Sequence, residues 1–259
     1  MSAELKATRR DATLILTLSN PGTRNALHPD IYAAAIETLT TAERDASLRA
    51  VVLTGADGYF CAGSDLRRLL ESRIGDTATK SRTAAQLQGW IEAIRNCPKP
   101  VIAAIEGGAA GAGCALALAC DFIVAGQSAK FEMHHVKAGL VPDGGATWLL
   151  GRLLPRQLAG EMLIQGMPVD AVRLHRLGVV NRLCPDGAAL DTALAWADAL
   201  AELAPNAVER IKSLLQDAGT NTLADQMQLE QRYFVESLHH PNAQEGIGAW
   251  LDKRKPRHS

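Results

Sequence analysis

Net charge is what this chain has least of: 27 Lys and Arg stand against 28 Asp and Glu, a formal balance of -1. Such a balance leaves no electrostatic footprint for nucleic acid or for an anionic membrane surface. Long apolar runs are missing too, because no stretch of about 20 uninterrupted apolar residues offers a membrane-spanning helix. The start, Met1 to Lys6, lacks the apolar segment of a signal peptide, so a cytoplasmic protein is expected. Cysteine is sparse, with 5 residues in no paired ligand spacing, which favours reduced thiols over disulfides or a metal centre. No repeat or low-complexity segment interrupts the chain, and neither the Gly-Lys-Ser/Thr of a P-loop nor a nucleophile elbow with a Ser-His-Asp order occurs. What remains is ample: 259 residues, 47% of them hydrophobic, enclose a core as one large domain or as one domain with a helical appendage.

The stretch around which the rest is organised is Val101 to Leu118, VIAAIEGGAAGAGCALAL. It begins as a buried strand, breaks into a small-residue loop from Gly107 to Gly113, and resumes as an apolar helix from about Ala112. The first N–H groups of such a helix have no intrahelical partner and favour an anion, or an oxygen that becomes one. Phosphate is disfavoured as that anion, since Leu116 stands where a dinucleotide fingerprint needs its third glycine. A second junction of the same kind lies upstream. Leu48 to Thr54 is an apolar run followed by Gly55-Ala56-Asp57-Gly58 and then Phe60-Cys61-Ala62-Gly63-Ser64-Asp65-Leu66. In a parallel sheet both turns lie at one edge, where each is able to aim a backbone N–H at one point.

Phe60 to Leu66 together with Pro100 to Asp121 resembles the crotonase superfamily, also called the enoyl-CoA hydratase/isomerase family. The resemblance runs from Asn20-Pro21 and Arg24-Asn25-Ala26-Leu27 to the closing EGIGAWLDKRKP of Glu245 to Pro256. It implies an α/β fold, a crotonase-like spiral of ββα units with a C-terminal helical section. Residues 1–200 then form the core with its CoA-binding and oxyanion-hole loops, and residues 201–259 a helical section for trimerisation, giving a homotrimer or dimer of trimers. It also implies an acyl-CoA substrate, with coenzyme A entering as part of that substrate, no tightly bound cofactor and no metal. The N–H groups of Ser64 and Ala112 would form the oxyanion hole, and Ala112, where many members have glycine, is tolerated because the donor is backbone. Arg24, Ala26, Ala62, Ser64, Asp65, Leu66 and Ala112 are the implied contacts to coenzyme A. The basic tail Lys253, Arg254, Lys255 and Arg257 is either a solvated terminus or a partner for the CoA phosphates.

In chain order, strands are expected at Leu5 to Arg9, Thr13 to Leu18 and Asp121 to Ala125, with a short one from Lys130-Phe131. Helices are expected from Pro29 to about Ala46 and from about Thr83 to Arg95, the latter stopped by Pro98-Lys99-Pro100. The polar Glu71 to Thr77 between them resembles the mobile segment over the acyl pocket in the family. From Pro168 onward the chain reads as helix except Val179 to Leu183: Asp170 to Arg176, Leu190 to Leu203, Pro205 to Gln216 and Leu223 to Leu238.

The acid/base groups decide the chemistry. By the resemblance, the two hydratase glutamates fall on Ala115 and His135, so an ordinary two-glutamate hydratase is disfavoured. Asp143, in Leu140-Val141-Pro142-Asp143-Gly144-Gly145, offers a replacement. Its plain role is to cap the helix that starts near Ala146; its functional one comes from similarity to double-bond isomerases, including those of bacterial phenylacetate breakdown, whose catalytic aspartate stands here. In the dehalogenase branch the same position is a nucleophile, but Gln88 stands where that branch has its histidine base. Val141 and Trp148 are expected to shield Asp143 from water and so raise its basicity. His134 and His135 read as neighbours on a strand, so at most one enters the pocket, and His135 is the acid/base candidate. The leading expectation is enoyl-CoA isomerisation through an oxyanion-stabilised enolate with Asp143 moving the proton. Hydration by His135 and Asp143 and ring-opening of an oxepin-type acyl-CoA stay open, as does a non-catalytic CoA- or RNA-binding role. Cys61 and Cys114, beside the hole, are expected to pack.

Overall fold

The computed structural model describes residues 3–73 and 77–259. The chain opens on an antiparallel hairpin, β1 (Glu4–Arg10) and β2 (Thr13–Ser19), followed by α1 (Pro29–Arg44) and β3 (Ala50–Gly55). α2 (Leu66–Ser72) and α3 (Thr77–Asn96) lead into β4 (Val101–Ile105), β5 (Gly108–Ala110) and α4 (Ala112–Ala119). β6 (Phe122–Gly126) and β7 (Lys130–Glu132) precede a 3-10 turn, His134–Ala138, and then α5 (Ala146–Leu153) and α6 (Arg156–Ile164). β8 (Val169–Asp170), α7 (Ala171–Arg176), β9 (Arg182–Cys184) and α8 (Ala189–Ala201) complete the α/β part. α9 (Pro205–Asp217), α10 (Leu223–Leu238) and α11 (Pro241–Leu251) close the chain.

The main sheet runs β1-β2-β3-β4-β6-β9, parallel from β2 onward, and a small sheet β5-β7-β8 lies apart from it. β4 is buried throughout because both its faces are covered, which is why it reads as an uninterrupted apolar run. Alternation sends Val101, Ala103 and Ile105 into the core shared with α1, α3 and α4, while Ile102 and Ala104 face Ala189, Ala193 and Ala197 of α8. Each fully buried Leu or Ile on these faces contributes about 1.5–3 kcal/mol. α9 is tied to this core by Lys212, whose ammonium donates to the carbonyls of Ile94 (3.1 Å) and Lys99 (3.2 Å) and to Asp121 Oδ2 (2.6 Å). Burial pushes the Asp121 carboxyl up, and the Lys212 charge opposes the rise.

Most expected elements stand within a few residues of their bounds, α3 opening earlier, at Thr77, than the expected Thr83, and several elements differ in kind. The loop Gly107 to Gly113 contains β5, whose Gly108–Ala110 pair with Lys130–Glu132 of β7. His134 and His135 lie on a 3-10 turn, not a strand. α6 and α11 are helices with no counterpart among the sequence expectations. Of the stretch Glu71 to Thr77, Glu71 and Ser72 end α2, Thr77 opens α3, and residues 74–76 lie outside the described residues.

Candidate active site

β3 and β4 are parallel neighbours, so their chain exits share one sheet edge. The strap after β3 is knitted to the segment after β4 by backbone bonds: Phe60 N–H to Glu106 O (2.9 Å), Cys61 N–H to Gly108 O (3.2 Å) and Ala110 N–H to Cys61 O (2.8 Å). The two backbones are so close that only glycine fits. A Cβ at Gly113 would stand 2.6 Å from Cys61 O, and one at Gly63 (φ 84) would stand 2.6 Å from Ala110 O and 3.1 Å from Ala112 N. Ser64 therefore follows a residue in contact with the start of α4. Ala112 is the first residue of that helix and has no intrahelical acceptor. Among the described residues no backbone carbonyl accepts from Ser64 N–H or Ala112 N–H. This is a pair of main-chain donors set by packing, suited to an oxygen that gains charge.

Cys61 and Cys114 belong to the packing of this junction. Burial pushes both thiols up to about 12, so they stay protonated near neutrality. Cys61 Sγ donates to Asn25 O (3.2 Å) and accepts from Gly63 N–H (3.4 Å).

The opposite wall is made of side chains. In a 3-10 turn consecutive residues point about 120° apart, which separates the two histidines. His134 faces outward to Glu132 (3.4 Å), while His135, its side chain 13% exposed, turns inward with Nε2 at 3.4 Å from Asp143 Oδ1. Its Cε1 would lie 3.5 Å from a Cβ on Gly111, which places the imidazole against the start of α4. His135 Nδ1 is buried and has no hydrogen-bond partner among the described residues.

Asp143 caps nothing with its side chain. Gly145 (φ 72) holds the cap of α5 without a side-chain bond, and Asp143 contributes only its carbonyl to Ala146 N–H (3.2 Å). The expected apolar shield is absent as well: Val141 is 83% exposed, Trp148 42%, and the Asp143 side chain 44%. Trp148 instead stacks with Arg152 and Arg95, at 3.8 and 5.0 Å from its ring centre. Across from Asp143, the site of the missing glutamate is closed. Ala115 is fully buried, and a Cβ on Gly144 would stand 3.2 Å from Ala115 Cβ and from Leu87 Cδ2.

The implied CoA contacts lie along one strap. Ala62 N–H donates to Arg24 O (2.9 Å) and Leu27 N–H to Gly63 O (2.7 Å), which lays residues 24–27 beside 62–64. Arg24 (φ 52) is exposed with its guanidinium 5.5 Å from the Tyr59 ring centre; Ala26 is buried, its carbonyl accepting from Asn20 Nδ2 (2.7 Å). Asp65 caps α2, Oδ1 accepting from Arg67 N–H (2.9 Å), and Leu66 is exposed. The basic tail is partly engaged within its own chain. Arg254 grips Glu245 at 2.7 and 2.9 Å, holding that carboxyl down to about 2, and Lys255 pairs with Glu202.

Tyr32 lies on the buried face of α1, 3% exposed, with its ring edge-on to Trp90. Burial raises the phenol's pKa, and the charge of the Asp143 carboxylate adds to the rise.

A parallel sheet whose post-β3 strap is knitted to a glycine-rich helix start is the architecture of the crotonases. Residues 8–259 match the enoyl-CoA hydratase/isomerase family, and the chain belongs to it. The 2,3-dehydroadipyl-CoA hydratase of Escherichia coli (strain K12) is 34% identical over 254 residues, 98% of each chain. The 1,2-epoxyphenylacetyl-CoA isomerase of the same organism is 36% identical over 245 residues, 94% of each. A solved enoyl-CoA hydratase from Polaromonas sp. JS666 is 50% identical with a TM-score of 0.97, covering 98% of this chain and 99% of that one. The resemblance read from Phe60 to Leu66 and Pro100 to Asp121 is thereby borne out, and with it the α/β fold and its C-terminal helical section.

Proposed function

We propose that the protein isomerises an enoyl-CoA, moving the double bond by proton transfer through a thioester enolate. Ser64 N–H and Ala112 N–H bind the thioester oxygen as it gains charge, and Asp143 takes a proton from one carbon and returns it to another. The observation that carries this reading is the asymmetry of the acid/base wall: Asp143 has its carboxylate free of any cap and beside His135 at 3.4 Å, while the second glutamate's place is filled by Ala115 against Gly144 and Leu87. Adding water across a double bond requires a group to activate the water and another to protonate carbon; moving a proton requires a single base. The strap of Arg24, Ala26, Ala62, Asp65 and Leu66 receives the coenzyme A portion, which belongs to the substrate. The isomerase named among the relatives gives this reading a precedent, and its epoxide-derived substrate makes ring-derived acyl groups worth testing.

Hydration is the second reading, favoured by the His135–Asp143 contact itself, since an imidazole beside a carboxylate is also equipped to activate water. Incubating the protein with enoyl-, dienoyl- and aryl-derived CoA thioesters and following products by mass separates the two. Isomerisation leaves the mass unchanged; hydration adds the mass of water, and that product as the main one overturns the proposal. The exposed apolar side chains of α10 and α11, among them Leu223, Phe234, Ile247 and Trp250, support assembly into a trimer or a pair of trimers.

A further inference from the structure

Lys99 stands between Pro98 and Pro100, ahead of β4 and so at the end of the main sheet opposite Ser64 and Ala112, which follow β3 and β4. The flanking prolines restrict the backbone, and the Lys99 carbonyl accepts from the buried Lys212 ammonium at 3.2 Å. From this fixed stem the half-buried side chain lines a cleft of about 230 Å³. The cleft walls are aliphatic: Leu48 ahead of β3, Leu200 at the end of α8, Leu203 beyond it and Val208 on α9. Its polar members besides Lys99 are Glu43, Arg49, Glu209 and Ser259. The Lys99 amine donates to the Glu43 carbonyl at 2.9 Å. Lys6, Lys212 and Lys255 each pair with a carboxylate, whereas Lys99 forms no ion pair among the described residues. Desolvation holds its pKa below the ordinary lysine range, and Cys97, Asp45, Glu43 and Glu209 oppose the fall.

The geometry points to Lys99 as a site of acylation by acyl-CoA thioesters, with the acyl chain seated against the aliphatic walls of this cleft. A lysine amine becomes a nucleophile where apolar surroundings desolvate it and no carboxylate holds its proton. The electrophile is at hand, because the family to which the chain belongs works on CoA thioesters. The uncharged amine attacks the thioester carbonyl carbon, an N–C bond forms and the C–S bond breaks. Coenzyme A leaves with the sulfur and takes up the proton that the nitrogen gives up, so the products are an amide on Nζ and free thiol. No oxidant, reductant or further reactant enters. The chain then leaves water for the faces of Leu48, Leu200, Leu203 and Val208. β4, five residues and about 16 Å long, separates the cleft from the paired donors, so neither place depends on the other.

Butyryl-CoA is the probe, since its saturated chain has no double bond to move or to hydrate and turnover does not consume it. The intact protein is incubated with it near neutrality, and the initial rate of butyrylation at each lysine is read by peptide mass spectrometry. Lys99 should be labelled about threefold or more faster than the exposed Lys130, Lys137 and Lys253. In the same protein unfolded in urea the lead should vanish, because the flanking sequence alone offers no cleft. Val208→Phe narrows the cleft from α9 and should slow labelling of Lys99 by about threefold or more, leave the three exposed lysines unchanged and keep the melting temperature near that of the parent. Equal labelling of Lys99 and the exposed lysines in the native protein overturns the assignment. So does a lead that survives in urea, or an unaltered Lys99 rate in folded Val208→Phe.

Discussion

The strap-and-sheet half of the molecule and its C-terminal helices differ in where their apolar side chains go. β4 and α4 are buried from end to end, whereas α10 has no buried residue and exposes Leu223, Met227, Phe234 and Leu238. The first half satisfies itself, and its close backbone packing sets the N–H groups of Ser64 and Ala112. The second half leaves apolar side chains exposed and is tied to the core through a buried charge, Lys212. The proposed chemistry thus resides where the fold is self-sufficient, and the proposed assembly where it is not.

The largest test of this contrast is Ala112→Pro. Proline is tolerated at the first position of a helix but lacks the N–H, so turnover should fall about a hundredfold to a thousandfold while the protein stays folded and assembled. Steady-state kinetics and light scattering on the same sample check both halves of that statement. Lys212→Met acts on the other region. It leaves Asp121 buried without its cation and should cost about 3 kcal/mol of unfolding free energy, read by denaturant titration. The smallest effect is expected from size measurement alone: the intact protein should scatter as a trimer or a multiple of it, and a clean monomer at micromolar concentration would leave the exposed faces of α10 and α11 unexplained.

The sequence made the self-sufficient half legible because its signals are local. Uninterrupted apolar runs marked β3 and β4, and the glycines marked the two junctions; the choice of Ser64 and Ala112 within them came from the family resemblance. α10 stands at Leu223–Leu238 as expected, and Thr222, whose side chain accepts from Asp225 N–H, caps its start. β5 was not legible, since Gly108, Ala109 and Ala110 have no strand preference of their own and become a strand by pairing with β7. The 3-10 turn at His134 and His135 was hidden for a related reason: continuing the β7 strand fits the same letters. Asp143 was found as a candidate but its surroundings were not, because Val141 and Trp148 are neighbours in sequence that the fold turns toward solvent. α6 and α11 carried the signal of a proline at or just before the first turn, Pro155 and Pro241, that went unread.

The central claim is that Asp143 carries a proton from one carbon of the acyl chain to another. The direct measurement is turnover of Asp143→Asn and of His135→Ala beside the parent in deuterated water, with products weighed by mass spectrometry. Asn keeps the shape of the side chain and removes the base, so Asp143→Asn should lose about a hundredfold or more in turnover with thermal stability little changed. The parent should return part of the original hydrogen to its product, as a carboxylate shuttling within one encounter does. An active Asp143→Asn together with an inactive His135→Ala would contradict the account and put the imidazole, and with it the addition of water, in its place.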